Sequence, residues 1–222
     1  MAVSVGAVNE PPKHRTENIM TMTPQEKIVQ IAHLMFDRHL TDLAGGNISV
    51  REGDTIYTTP RYAGARRHWD LQPEDIMAGS LWDEQIFDNP RFTREGVSHV
   101  HAYRHFSEAT AIIHAHSPWT LPFATFGLPM EAVLKSTQTF GALEIIPEVE
   151  PYSEEQSDEI IRLVDRHRER IGEHGAPVLI PGHGVFIIGL DLDTLIDSVE
   201  RLNTNAMVLL ARPLVEQLRA GR

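Results

Sequence analysis

Apolar residues along this chain fall into two kinds of segment, one at helical spacing and one alternating or running together. Ile28, Ile31, Ala32, Leu34 and Met35 follow the 3.6-residue period. Thr23-Pro24-Gln25-Glu26 ahead of them is a capping box with proline at the first helical position, so the pattern predicts a helix over residues 24–39. Leu43-Ala44-Gly45-Gly46-Asn47 breaks it. Ile48-Ser49-Val50-Arg51 and Thr55-Ile56-Tyr57-Thr58-Thr59 alternate as strands around a Gly53-Asp54 turn. Residues 60–92, rich in Pro, Gly and Asp, hold short elements only. Thr93 to Phe106 reads as a helix with Thr93 as N-cap and Glu95 in its first turn. Residues 110–116 are a buried strand, Ser117-Pro118 opens another helix, and residues 143–148 give a short strand. Ser153-Glu154-Glu155-Gln156 is a second capping box, opening a charged helix to about Gly172. Val178 to Leu190 reads as two strands broken by Pro181-Gly182-His183-Gly184. Asp193 caps a last helix that ends near Arg212-Pro213.

No internal repeat, low-complexity tract or long linker interrupts this order. It predicts a flexible N-terminal tail over residues 1–20 and a single domain over residues 21–222. Strand-to-strand turns and irregular helix spacing favour an α/β domain with a mostly antiparallel or mixed sheet over a doubly wound parallel one. A chain of 222 residues, 41% hydrophobic and 23% charged, is long enough and balanced enough to bury a core without staples. No stretch reaches the apolar length of a membrane span, and the N-terminal segment lacks the basic-then-apolar order of a secretory leader. The net charge of -11 argues against nucleic acid or an anionic membrane as the main partner. There is no cysteine, so any transition metal must be held by His, Asp or Glu. The same fact fits a cytoplasmic setting.

His114 and His116 lie two apart in a strand pattern, so they point to one face at chelating distance. Alone, such a pair is a weak signal, since two half-buried histidines satisfied by backbone carbonyls look the same. His183 strengthens it. It stands between Gly182 and Gly184 directly after an apolar strand, where the backbone can bend and let another group approach. Three histidines from two strands would leave an open coordination position for substrate or water. Glu95, at the start of the helix leading into the His-x-His strand, is the candidate general base or extra ligand; a helix-start carboxylate favoured by the dipole is the plainer reading. Gly45-Gly46-Asn47 could converge backbone N–H groups and an amide on an anion, or be a plain turn. The Arg61, Arg66, Arg67 and His68 cluster could hold a phosphate or carboxylate, pair with the acidic surface, or sit at a subunit contact. His101 and His105, four apart on a helix, are a rival metal pair, and His99 reads as support for the site from behind its ligands.

Taken together these motifs resemble the class II aldolase/adducin family. The resemblance rests on Ala44-Gly45-Gly46-Asn47-Ile48-Ser49-Val50-Arg51, Glu95 with His99, Ile112-Ile113-His114-Ala115-His116-Ser117, and Gly182-His183-Gly184-Val185, in that order over roughly residues 24–210. The spacing from Glu95 to His114 also looks like that of the family's aldolases. The resemblance implies a three-layer α/β/α fold around a mostly antiparallel sheet. It implies a divalent metal, usually zinc and sometimes manganese, on His114, His116 and His183, with Glu95 as the acid/base residue. It implies Gly46 and Asn47 in a substrate anion site, to which Thr93, Arg94, Arg66 and Arg67 are added as candidates. It further implies a homotetramer with active sites between subunits. The expected activity is that of a metal-dependent carbon–carbon lyase cleaving a small ketose phosphate through an enediolate. Decarboxylation of a hydroxy-aromatic or oxo-acid is the alternative, followed by 4-epimerisation and a non-catalytic adducin-like module. Two departures stand out. Sugar-phosphate members usually carry a serine pair before the glutamate, where this chain has Thr93-Arg94, and the tyrosine that the family's aldolases use as proton donor has no clear match.

Overall fold

The computed structural model describes residues 22–221. The expected tail at residues 1–20 lies outside them. In chain order the elements are α1 (Pro24–Asp37), β1 (Asn47–Glu52), β2 (Thr55–Thr58), α2 (Ala63–Arg67), β3 (Met77–Ser80), α3 (Gly96–His105), β4 (Ala111–Ala115), α4 (Leu121–Thr125), α5 (Glu154–Asp165), β5 (Ala176–Ile180), β6 (Gly184–Gly189) and α6 (Leu192–Ala220), with short 3-10 turns between them. The strands form one six-stranded sheet in the order β3-β2-β1-β4-β6-β5, antiparallel at every neighbouring pair.

Side-chain alternation decides what each face of the sheet packs against. Ile48 of β1, Ala111 and Ile113 of β4 and Ile187 of β6 pack with α1 and α6. Ile112 of β4 and Phe186 and Ile188 of β6 face the other way, into a second core with α3 and α5. Helices on both faces make three layers, as the family resemblance implies. Asn47 and Ser49 share the α3 face with His114. The register pairs Asn47 with His114 and His114 with Phe186, so these residues form a row across three adjacent strands.

Several boundaries differ from the sequence reading. The α1 capping box forms as expected, with the Thr23 hydroxyl accepting from the Glu26 N–H and the Glu26 carboxylate accepting from the Thr23 N–H. α3 starts at Gly96, not Thr93. Glu95 takes the N-cap position, but its side chain makes no cap bond because it is spent in the interior. Ser117-Pro118 leads through a turn before the helix proper begins at Leu121. Residues 143–148 form no strand. They contribute bridges at Leu143 and Ile145 only, and Pro147, with no N–H, cannot extend the pairing. The second capping box is half formed: Ser153 accepts from the Gln156 N–H, while the Gln156 carboxamide oxygen accepts from Tyr152 rather than from Ser153. α5 ends at Asp165, and a separate 3-10 turn covers Arg168–Gly172. The cap of α6 is Asp191 rather than Asp193, and the helix continues through Pro213 to Ala220. Proline's fixed φ is itself helical, and in this exposed stretch water can take the carbonyl it strands.

Ile187 is fully buried between the sheet and α6. Ile187→Ala should lower unfolding free energy by about 2–4 kcal/mol in urea denaturation.

Candidate metal and acid-base site

The row across the sheet ends at the C-terminal end of β4, where three other pieces of chain arrive. The β5–β6 hairpin turns through Gly182 at φ 61° and brings His183 over the strand ends. The α1–β1 loop closes against His116. The start of α3 pushes Glu95 under all of them. Ligand nitrogens of His114, His116 and His183 all lie within 4.8 Å of one another. His114 is fully buried and His183 partly so, and the ring centroids are 4.6 to 5.0 Å apart.

The hydrogen bonds assign the ring tautomers. His114 Nδ1 lies 3.0 Å from the Val185 carbonyl, so it carries the proton and leaves Nε2 as a lone pair. His116 Nδ1 lies 3.2 Å from the Asp42 carboxylate, which assigns its proton in the same way. The two Nε2 atoms then face each other at 3.1 Å, and Glu95 Oε2 is 3.1 Å from the first of them. Lone pairs and a carboxylate converging at that distance repel one another unless a cation stands among them. A tetrahedral zinc with imidazole ligands spaces its nitrogens about 3.3 Å apart. The donor set fits a divalent metal, and the bonds from Val185 and Asp42 to the far ring nitrogens are those that orient metal-binding imidazoles.

Glu95 is 1% exposed. Its Oε2 accepts from the Asn47 amide at 2.9 Å, and His183 Nδ1 lies 2.8 Å from its Oε1. Burial pushes the carboxyl up, but His183 and the Asn47 amide outweigh it and hold Glu95 well below the usual carboxylate range. Burial pulls the His114 and His116 rings down, so both stay neutral and able to ligate. His99, fully buried behind Glu95, is brought down to about 4, mainly by burial. It does not reach the histidine cluster. Its Nδ1 pairs with Ser49 Oγ at 2.6 Å, Ser49 meets the Tyr103 hydroxyl, and its ring packs edge-on to Phe186. It thereby braces the row from beneath.

The loop glycines have specific steric duties. A Cβ on Gly45 would overlap the His116 ring, and Gly46 has φ +98° with Thr41 Oγ1 where a Cβ would go. Asp42 accepts from the Ala44 and Gly45 N–H groups with the same Oδ1 that faces His116, so the turn fixes the carboxylate and the carboxylate fixes the ring.

A pocket opens above Glu95. Gly46, Asn47, Thr93, Arg94 and His183 line it, as do Arg61, Tyr62 and Tyr152. Arg94 is tied to the Ala44 carbonyl and lies over the Tyr152 ring, 5.1 Å from its centroid. Arg66 and Arg67 do not line this pocket: Arg66 stacks on Tyr62 and Arg67 pairs with Asp75. The rival helix pair is also dispersed, with His101 against Phe87 and His105 bonded to Asp165. Asp42 and Tyr152 escaped the sequence reading. An Asp three residues before a Gly-Gly pair is an Asx-turn signal that could have found the first. No local pattern marks Tyr152, whose ring meets His183 edge-on at 5.5 Å from a left-handed backbone position, φ 66°.

The profile of the Class II Aldolase and Adducin N-terminal domain matches residues 26–210. An L-fuculose phosphate aldolase of Methanocaldococcus jannaschii is 29% identical over 193 residues, covering 87% of this chain and 99% of the relative. A 3-oxo-tetronate 4-phosphate decarboxylase of Haemophilus influenzae is 25% identical over 192 residues, covering 83% and 86%. The crystal structure of an L-fuculose-1-phosphate aldolase from Thermus thermophilus superposes with a TM-score of 0.71 at 24% identity, covering 86% of this chain and 94% of that one.

Loss of the His116 supports should be visible in metal content. Asp42→Asn and Gly45→Ala should each weaken zinc binding about tenfold or more in equilibrium dialysis, and His116→Ala should abolish stoichiometric binding. Family match, fold and a three-histidine group able to hold a metal agree: the chain is a metal-dependent lyase of the class II aldolase and adducin family.

Proposed function

We propose that the chain cleaves a small ketose phosphate by a retro-aldol reaction, and that Zn2+, or Mn2+ in its place, sits on His114, His116 and His183. The observation that carries this reading is the Glu95 carboxylate, buried against His114 and His183 of the three-histidine group in a pocket also lined by Arg61 and Arg94. A metal there supplies Lewis acidity toward substrate oxygen. The chain's own residues do the remaining work. Arg94, with Thr93, Asn47 and the Gly46 loop, faces the substrate anion, and Arg61 adds a second guanidinium on the same pocket. Neither arginine has a carboxylate partner among the described residues, so both are free to serve an external anion. Cleavage removes a proton from the hydroxyl next to the breaking bond, which becomes the aldehyde. The electron pair stays with the ketone fragment as an enediolate, whose carbon is then protonated. Glu95 is the carboxylate positioned to move that proton, and the Asn47 amide keeps it ionised and oriented. Tyr152 forms part of the wall of the same pocket and packs edge-on to His183.

Decarboxylation of an oxo-acid is the second reading. It is supported by the 25% identical decarboxylase relative and by arginines that suit a carboxylate as well as a phosphate. Both reactions leave an electron pair on carbon beside a carbonyl, so the same residues serve either.

A homotetramer with active sites between subunits is consistent with apolar side chains left on the surface. Leu214, Val215 and Leu218 on the end of α6 are each more than half exposed. Leu214→Glu combined with Leu218→Glu should lower the mass measured by light scattering if that end of the helix is a subunit contact.

Incubation of the zinc-loaded enzyme with ketose phosphates should release an aldehyde, and Glu95→Gln should lower kcat at least about 100-fold with metal content intact. Release of CO₂ from an oxo-acid phosphate without aldehyde from any ketose phosphate would establish the second reading instead.

A further inference from the structure

The segment that carries α2 is held in a conformation its sequence resists. Tyr62, just before the helix, and His68 and Trp69, just after it, have φ values of 66°, 53° and 62°. None of the three is glycine, and left-handed backbone is costly for bulky side chains. The end of α2 closes in the way helices usually close on a glycine. The His68 N–H donates to the Gly64 carbonyl at 2.9 Å and the Trp69 N–H to the Ala63 carbonyl at 3.1 Å. Strain of this kind persists only where surrounding contacts over-determine it.

Those contacts converge on the loop beside His116. Trp69 is 1% exposed, and its Nε1–H donates to the Asp42 carbonyl at 2.7 Å. Gly64 lies against the same stretch of chain. A Cβ there would stand 3.0 Å from the Asp42 carbonyl oxygen and 2.8 Å from that of Leu43. His33 of α1 anchors the segment beyond Trp69, its Nε2 accepting from the Leu71 N–H at 3.3 Å. Any buried indole needs an acceptor. This one takes the main chain of the residue whose carboxylate faces His116 Nδ1. Asp42 is thus held twice, by the Ala44 and Gly45 N–H groups on its carboxylate and by Trp69 on its carbonyl. The first pair of bonds shapes the turn; the indole ties the turn to the core.

We infer that Trp69 is a positioning residue for the metal site: its indole N–H fixes the Asp42 turn, and through that turn the His116 ring. The inference rests on the metal reading above and is independent of which bond the enzyme cleaves.

Trp69→Phe keeps an aromatic ring in the core and removes the donor. Equilibrium dialysis of the full chain against Zn2+ alone should show binding weakened about three- to tenfold. In an Asp42→Asn background the same change should cost less than about twofold, because the link to His116 is already cut. Gly64→Ala, which presses on the Asp42 and Leu43 carbonyls with the indole intact, should weaken zinc binding in the same range. Ile28→Ala opens a cavity in the same buried cluster and should lower the melting temperature with zinc affinity unchanged. Proton NMR of the zinc-loaded chain separates positioning from general loosening. The His116 Nδ1 proton, on Asp42, should exchange with water faster in Trp69→Phe, and the His114 Nδ1 proton, on the Val185 carbonyl, should not. Wild-type zinc affinity in Trp69→Phe, or in Gly64→Ala should the first variant not fold, would overturn the inference. So would an equal fold-loss with and without the Asp42 carboxylate, a zinc loss as large in Ile28→Ala, or equal acceleration of both imidazole protons. Failure of the wild-type chain to bind zinc would overturn the metal reading, and this inference with it.

Discussion

Glu95 keeps its negative charge where almost no water reaches it, and much of the surrounding architecture follows from that. A buried carboxylate is costly unless it is paired and hydrogen-bonded. Here the Asn47 amide comes from β1 and His183 from the β5–β6 hairpin, and His114 of β4 stands beside the carboxylate. Those three strands are consecutive in space only because β1 and β6 both pair with β4. The sheet order is what assembles a charge-stabilising shell around one side chain at the start of α3.

The same arrangement leaves two imidazole lone pairs facing each other beside the carboxylate, a geometry that favours a cation. The supports behind it are specific. The Val185 carbonyl holds one far ring nitrogen and Asp42 the other, and Asp42 is itself held by two N–H groups of the glycine loop. Gly45 has no side chain because the His116 ring occupies the space a Cβ would need. The loop that looks in sequence like an anion cradle therefore also packs directly against one of the three clustered histidines. Above this floor the charge is divided. Arginines stand on one side of Tyr152, and the exposed carboxylates of Glu148 and Glu150 stand on the other.

Much of this was legible in the residues. The alternation in Ile112-Ile113-His114-Ala115-His116 places both imidazoles on one side of a strand, and the structure has them there. The capping box at Thr23 and the two-strand pattern at 48–59 also formed as the pattern predicts. The errors have physical causes. Thr93 did not cap α3 because the helix starts where Glu95 turns inward. Residues 143–148 have strand-like apolar content, but Pro147 cannot extend the ladder. The arginine cluster looked like one patch in sequence. The short helix α2 sends Arg67 to Asp75 and Arg66 to Tyr62, and leaves Arg61 at the pocket.

Local chemistry by itself determined which side chains could bind a metal and carry a proton, because spacing on a strand and glycines flanking a histidine act within a few residues. It also determined most of the elements, since capping and hydrophobic period are local properties. The tertiary structure alone decided that Asp42 orients His116, that Tyr152 stands between Arg94 and His183, and that Gln156 is left with a buried unpaired donor. Each of these contacts joins segments whose meeting depends on sheet order and helix docking, or turns on burial, and neither property is encoded in any short stretch of the chain.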